Sequence, residues 1–110
     1  MYLNRSEKNI QTDILKKLRK IPNSWWFKCH DLITAGVPDI LGAIEGKFIA
    51  IEVKKPGEVP TVLQKQVIHE MNKAGIYAFW DDNTKLVMEK IVTFQTNNIL
   101  REREKYKRRF

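Results

Sequence analysis

Asp39, Glu52 and Lys54 are the residues of this 110-residue chain whose types and spacing could do chemistry together. Residues 39–44 are largely apolar, Glu45-Gly46 has the character of a tight turn, and residues 47–54 are β-branched and alternating, which is a hairpin pattern. A two-residue turn at Glu45-Gly46 pairs Ile44 with Lys47, Leu41 with Ala50 and Asp39 with Glu52. Two carboxylates then face each other with Cβ atoms ~5 Å apart, an arrangement that costs stability unless something lies between them. A divalent cation is the natural occupant, because hard cations take carboxylate oxygens from convergent groups of this kind. Lys54 lies two residues beyond Glu52 and so emerges on the same face of the strand, with Ile49, Ile51 and Val53 turned the other way towards a core. An ammonium beside metal-bound carboxylates can hold or deprotonate a water, or neutralise charge building on a phosphate.

These residues need elements to position them. Ser6 can cap a helix from about residue 7 to 19, in which Glu7, Ile10, Ile14 and Leu18 fall within one arc, so Glu7 begins the buried stripe. Its alternatives are a carboxylate answering the helix dipole and a metal-side role. Residues 24–30 form an aromatic strand, followed by a loop to Pro38. Thr61 opens a helix through about Ala74 with Gln64 as capping-box partner, and Gly75 ends it. Gln64 shares a face with Val67, Ile68 and Met71, so it can both cap the helix and contact substrate or metal. A short strand over 76–80, a turn at 81–83, and two helical stretches over 85–94 and 98–108 complete the chain. The order α-β-β-β-α-β-α predicts an α/β domain with a mixed central sheet flanked by helices.

Composition narrows the function. A chain of 43% hydrophobic and 10% aromatic residues can bury a core as a single domain, and its one cysteine, Cys29, excludes a disulfide framework or a Cys-rich zinc site. No apolar run approaches the ~20 residues needed to span a bilayer, and the first residues lack a signal-peptide pattern, so the expectation is a soluble protein of a reducing cytoplasm. No Gly-rich phosphate loop is present, which leaves ATP or GTP hydrolysis without support. The 20 Lys+Arg and 13 Asp+Glu give a net charge of +7, distributed as +5 over residues 1–30, −2 over 31–100 and +4 over 101–110. Basic ends around an acidic centre fit phosphate contacts around a site that needs negative charge of its own.

The ordered set Gly36-Val37-Pro38-Asp39, Ile51-Glu52-Val53-Lys54-Lys55 and Gln64, with Glu7 on a leading helix and Gly75 before a strand, closely resembles the VRR-NUC (virus-type replication-repair nuclease) domain of the PD-(D/E)xK nuclease superfamily. The likeness covers residues 6–80, and residues after about Asp82 match no motif. It implies a restriction-endonuclease-like core and hydrolysis of DNA phosphodiesters with Mg2+, for which Mn2+ would substitute. Asp39 and Glu52 would match the metal ligands, joined by the Val53 carbonyl and by Glu7. Lys54 would match the catalytic lysine and Gln64 the supporting glutamine. Stand-alone members of this size look like phage-type homodimers acting on branched DNA, including Holliday junctions.

The resulting expectation is a single nuclease domain over residues 1–110 with a basic C-terminal segment, 98–110. Arg5, Lys8, Lys28, Lys55, Arg108 and Arg109 are its candidate phosphate contacts. The alternatives are a sequence-tolerant or restriction-type duplex endonuclease and a non-catalytic DNA-binding module. His30 and His69 lack metal-type spacing, and Cys29 has no base partner. Trp25, Trp26 and Trp80 are expected to pack in the core, with stacking on splayed bases as the alternative.

Overall fold

A computed structural model of the chain describes residues 6–30 and 34–109. The elements run α1 (Glu7–Leu18), β1 (Ser24–Lys28), β2 (Ile40–Ile44), β3 (Lys47–Val53), α2 (Val62–Lys73), β4 (Tyr77–Asp81) and α3 (Thr84–Arg109). The strands form one mixed sheet in the order β1-β2-β3-β4, antiparallel except for the parallel β3–β4 pair that the α2 crossover connects.

The hairpin has the register expected from its turn. Ile44 pairs with Lys47, Leu41 with Ala50 and Ile40 with Ile51, which brings Asp39, one residue before the ladder, level with Glu52. Glu45 at φ 48° and Gly46 at φ 79° both take left-handed backbone, the signature of a type I′ turn, whose twist matches that of the flanking strands.

One face of the sheet carries the core. Ile10, Ile14, Leu15 and Leu18 of α1 and Val87 and Ile91 of α3 close over Trp26, Ile40, Ile44, Ile49, Ile51, Val53 and Phe79. Gly42 makes room for the buried Trp26 beside it in the register, since a Cβ on Gly42 would collide with the Trp26 ring and the Trp25 carbonyl. On the opposite face α2 covers only the β3–β4 half, over Ala50 and Ala78, and no residue of α2 is fully buried. Its Asn72 clasps the edge strand: the amide nitrogen donates to the Ala78 carbonyl at 2.8 Å and the amide oxygen accepts from the Ala78 N–H at 3.2 Å.

Three expectations change. The two C-terminal helical stretches are one 26-residue helix, because Gln95, Thr96 and Asn97 include no Pro or Gly and the Thr96 hydroxyl donates back to the Val92 carbonyl instead of breaking the ladder. The aromatic strand ends at Lys28, where its partner strand begins at Ile40, although the Cys29 N–H still donates to the Asp39 carbonyl at 2.7 Å. Of the three tryptophans only Trp26 enters the core; Trp80 is half-buried and Trp25 stands 67% exposed, because strand alternation sends it to the face that α2 leaves open. No helix among the described residues is long and apolar enough to cross a membrane.

Candidate active site

The carboxylates gather where β2 begins and β3 ends. Gly36, at φ 85°, lets the preceding loop lie against α2, since a Cβ there would stand 3.0 Å from the Leu63 and Val67 side chains. Pro38 behind it is fully buried. Asp39 is then held in place by its own chain: its Oδ2 accepts from the Val53 N–H at 3.0 Å, across the strand pair. Val53 is itself anchored in register with Asp81 of β4.

Glu52 is the unusual residue. It is 2% exposed, although it is a carboxylate on a strand that the sequence pattern gives one core face and one open face. Its Oε2 accepts from Gln64 Nε2 at 3.2 Å and lies 3.7 Å from Lys54 Nζ, while its Oε1 is buried without a hydrogen-bond partner among the described residues. Burial, and then the neighbouring Asp39 charge, push its carboxyl up from an ordinary 4.5 to about 8, with Lys54 opposing them. Such a group is expensive to ionise, and strongly perturbed carboxyls of this kind cluster at functional sites.

Gln64 caps its helix and also reaches Glu52. Its Oε1 accepts from the Thr61 N–H at 2.9 Å and Thr61 Oγ1 accepts from the Gln64 N–H at 3.1 Å, closing the capping box, and its remaining amide hydrogens are free to hold Glu52. Lys54 is 11% exposed and sits beside two acids, with Glu7 Oε1 at 4.0 Å. Glu7 occupies the first turn of α1, whose N-cap Ser6 accepts from the Asn9 N–H at 3.1 Å. The helix start is thereby fixed opposite the end of β3.

The structure brings Asp39, Glu52, Val53, Lys54, Glu7 and Gln64 together. Glu7 joins the group through Lys54, and its charge also acts on Glu52. Among the described residues no three Asp, Glu, His or Cys side chains converge into a ready-made cage. The donors that do fit a divalent cation are the facing Asp39 and Glu52 carboxylates, with Glu52 Oε1 supplying a buried oxygen that has no partner among the described residues. Mg2+ is suited to such a set, since it binds through one or two carboxylates and completes its octahedron with water and phosphate oxygens.

The candidate phosphate contacts are dispersed. Lys8 and Lys55 are exposed near the site, Lys55 also pairing with Glu58 at 3.8 Å, and Lys28 is partly exposed at the end of β1. Arg5 and the side chains of Arg108 and Arg109 lie outside the described residues. His30 and His69 are exposed, and Cys29 is half-buried. Sequence reasoning missed Asp81, 7% exposed, whose Oδ2 takes an ion pair from Lys90 at 2.8 Å and whose carbonyl accepts from the Lys54 N–H at 3.0 Å. It ties α3 to the strand end beside Lys54, and its only signal was an Asp in a segment assigned to a turn.

The architecture is thus a mixed four-stranded sheet with two helices on one face and one on the other. Solved structures share it. One, described as a "VRR_NUC domain protein", matches at a TM-score of 0.68 with 19% identity, covering 82% of this chain and 88% of that one. A second, described as a "VRR_NUC domain", matches at 0.68 with 22% identity over 77% of this chain and 92% of its own. The chain therefore has the VRR-NUC fold, as its motifs suggested. No family model and no curated protein matches its sequence.

Proposed function

We propose that the protein is a metal-dependent DNA endonuclease that acts on branched DNA. The observation that carries this reading is the buried Glu52 carboxylate, with one oxygen unpartnered among the described residues, facing Asp39 and flanked by Lys54. Asp39 and Glu52, with the Val53 carbonyl, would hold Mg2+ or Mn2+. When bound, the cation would lower the pKa of a coordinated water and stabilise charge on the phosphate oxygens.

The chain's own residues supply the rest. Gln64 fixes the Glu52 carboxylate through Oε2 and leaves Oε1 facing the cation position. Val53 orients Asp39 through the backbone, so that both ligands are set by the sheet and not by a mobile loop. Lys54, nearly buried and restrained between Glu7 and Glu52, keeps its ammonium beside the place where the phosphate must lie, to hold the attacking water or to neutralise developing charge. Glu7 positions that ammonium. The surplus of basic residues towards both ends of the chain supports backbone binding without sequence readout. The preference for branched DNA and a homodimeric state rest on the motif resemblance.

The test offers purified protein a four-way junction, a flap, single-stranded DNA and linear duplex, each with Mg2+, Mn2+ or EDTA, alongside the Asp39→Asn variant. Metal-dependent cutting of branched substrates, lost in the variant while DNA binding survives, is expected. Cutting that persists in EDTA removes the mechanism; cutting of linear duplex alone removes the branched-DNA preference.

A further inference from the structure

The active-site face of the sheet continues, past the carboxylates, into an open aromatic surface. Residues directly opposite in neighbouring strands share a face, so three rows cross it: Trp25, Ala43 and Phe48; then Phe27, Leu41 and Ala50; then Asp39 and Glu52. α2 covers only the β3–β4 side, which leaves Trp25 at 67%, Phe48 at 55% and Phe27 at 37% exposure. The Trp25 and Phe27 ring centres are 5.3 Å apart and tilted 43° to each other. At ~3.4 Å per strand residue, the Phe27 and Trp25 rows stand about 7 and 14 Å from the carboxylate row. That is one to two nucleotides along a strand drawn out of the duplex stack. At the open edge of β1, between Trp25 and Phe27, Arg19 reaches the Trp26 carbonyl at 3.5 Å, so one cation lies along the strand edge.

We propose that Trp25 and Phe27 form a stacking platform for unpaired bases next to the scissile phosphate. This rests on the nuclease reading above and narrows its substrate to DNA whose cleaved strand is single-stranded for one or two nucleotides beside the cut. Aromatic faces take any base and a cation at the edge attracts the backbone, a combination that binds single strands without sequence preference. A second copy of the chain is the less suitable occupant. A two-fold contact through this face would bring the partner to within about one row, ~7 Å, of the carboxylates that must admit a phosphodiester.

The experiment compares binding of a fork with three-nucleotide unpaired arms and of a fully paired duplex, in EDTA so that nothing is cut, for wild type, Trp25→Ala, Phe27→Ala and Trp25→Phe. Loss of one ring is expected to weaken the fork roughly 5- to 100-fold and the duplex less than twofold. Trp25→Phe, which keeps a ring, should retain most of the affinity. Equal effects on fork and duplex, or none, overturn the platform. Conversion of a wild-type dimer to monomers by either alanine variant assigns the face to a second copy and also overturns it. The same proteins assayed for cutting in Mg2+ separate the two readings: fork preference without cleavage sinks only the nuclease, and Asp39-dependent cleavage without fork preference sinks only the platform.

Discussion

Replacing Glu52 by Gln is expected to make the metal-free protein more stable while destroying its cation site. The folded state holds Glu52 protonated up to about pH 8, whereas the unfolded chain releases that proton near 4.5. Between those values the native state binds one proton more than the unfolded state, so stability falls as pH rises, by about 1.4 kcal/mol per pH unit. The contribution is intact below about pH 4.5, has declined by roughly 3 kcal/mol at pH 7, and levels off above pH 8. A neutral glutamine escapes this loss, and its amide oxygen can still accept from Gln64 Nε2. For a domain of this size the gain corresponds to a rise of roughly 10 °C in Tm near neutrality. The assay is denaturant unfolding of both proteins in EDTA from pH 5 to 9. The wild-type curve should fall away from that of the variant as pH rises. Parallel curves, or a variant less stable than wild type at pH 8, would show that Glu52 is an ordinary structural ion-pair partner and refute the reasoning.

Other outcomes follow from the same geometry. Lys54→Ala should lower the cleavage rate by about 10^2-fold or more while cation binding persists, measured as single-turnover cutting beside a Mn2+ titration. Gly42→Ala should fail to fold or lose more than ~3 kcal/mol, because a methyl there meets the Trp26 ring and a backbone carbonyl that cannot move aside; thermal unfolding checks it. Lys90→Met should cost about 1–3 kcal/mol by taking the ion-pair partner from the Asp81 carboxylate, 7% exposed, and leaving it the neighbouring Asp82 N–H, read by denaturant unfolding.

The hairpin was legible because one local signal, Glu45-Gly46, fixes the register, and the register alone places Asp39 opposite Glu52. The capping box gave Gln64 its position, but not its bond to Glu52, which depends on how α2 crosses the sheet and so on tertiary packing. The hairpin pattern set Glu52 opposite Asp39 but carried no sign of its burial, which comes from the half of the sheet that α2 covers. The same partial cover explains Trp25, whose residue type suggests a core and whose face has none. Glu7 was placed correctly on the inner arc of its helix, yet its neighbour is Lys54 and not the carboxylate pair, a distinction of a few ångströms that spacing cannot make. The long α3 was divided in reading because polar residues at 95–98 interrupt its apolar pattern, although nothing there breaks a backbone hydrogen bond.

The central claim is that Asp39 and Glu52 together grip a divalent cation. Electron paramagnetic resonance titration of Mn2+ into wild type, Asp39→Asn and Glu52→Gln measures this without requiring a substrate. Saturable binding at pH 8 that weakens as pH is lowered and disappears in both variants is the outcome the geometry demands. A wild-type protein that takes up no Mn2+, or variants that bind it as well as wild type does, would contradict it.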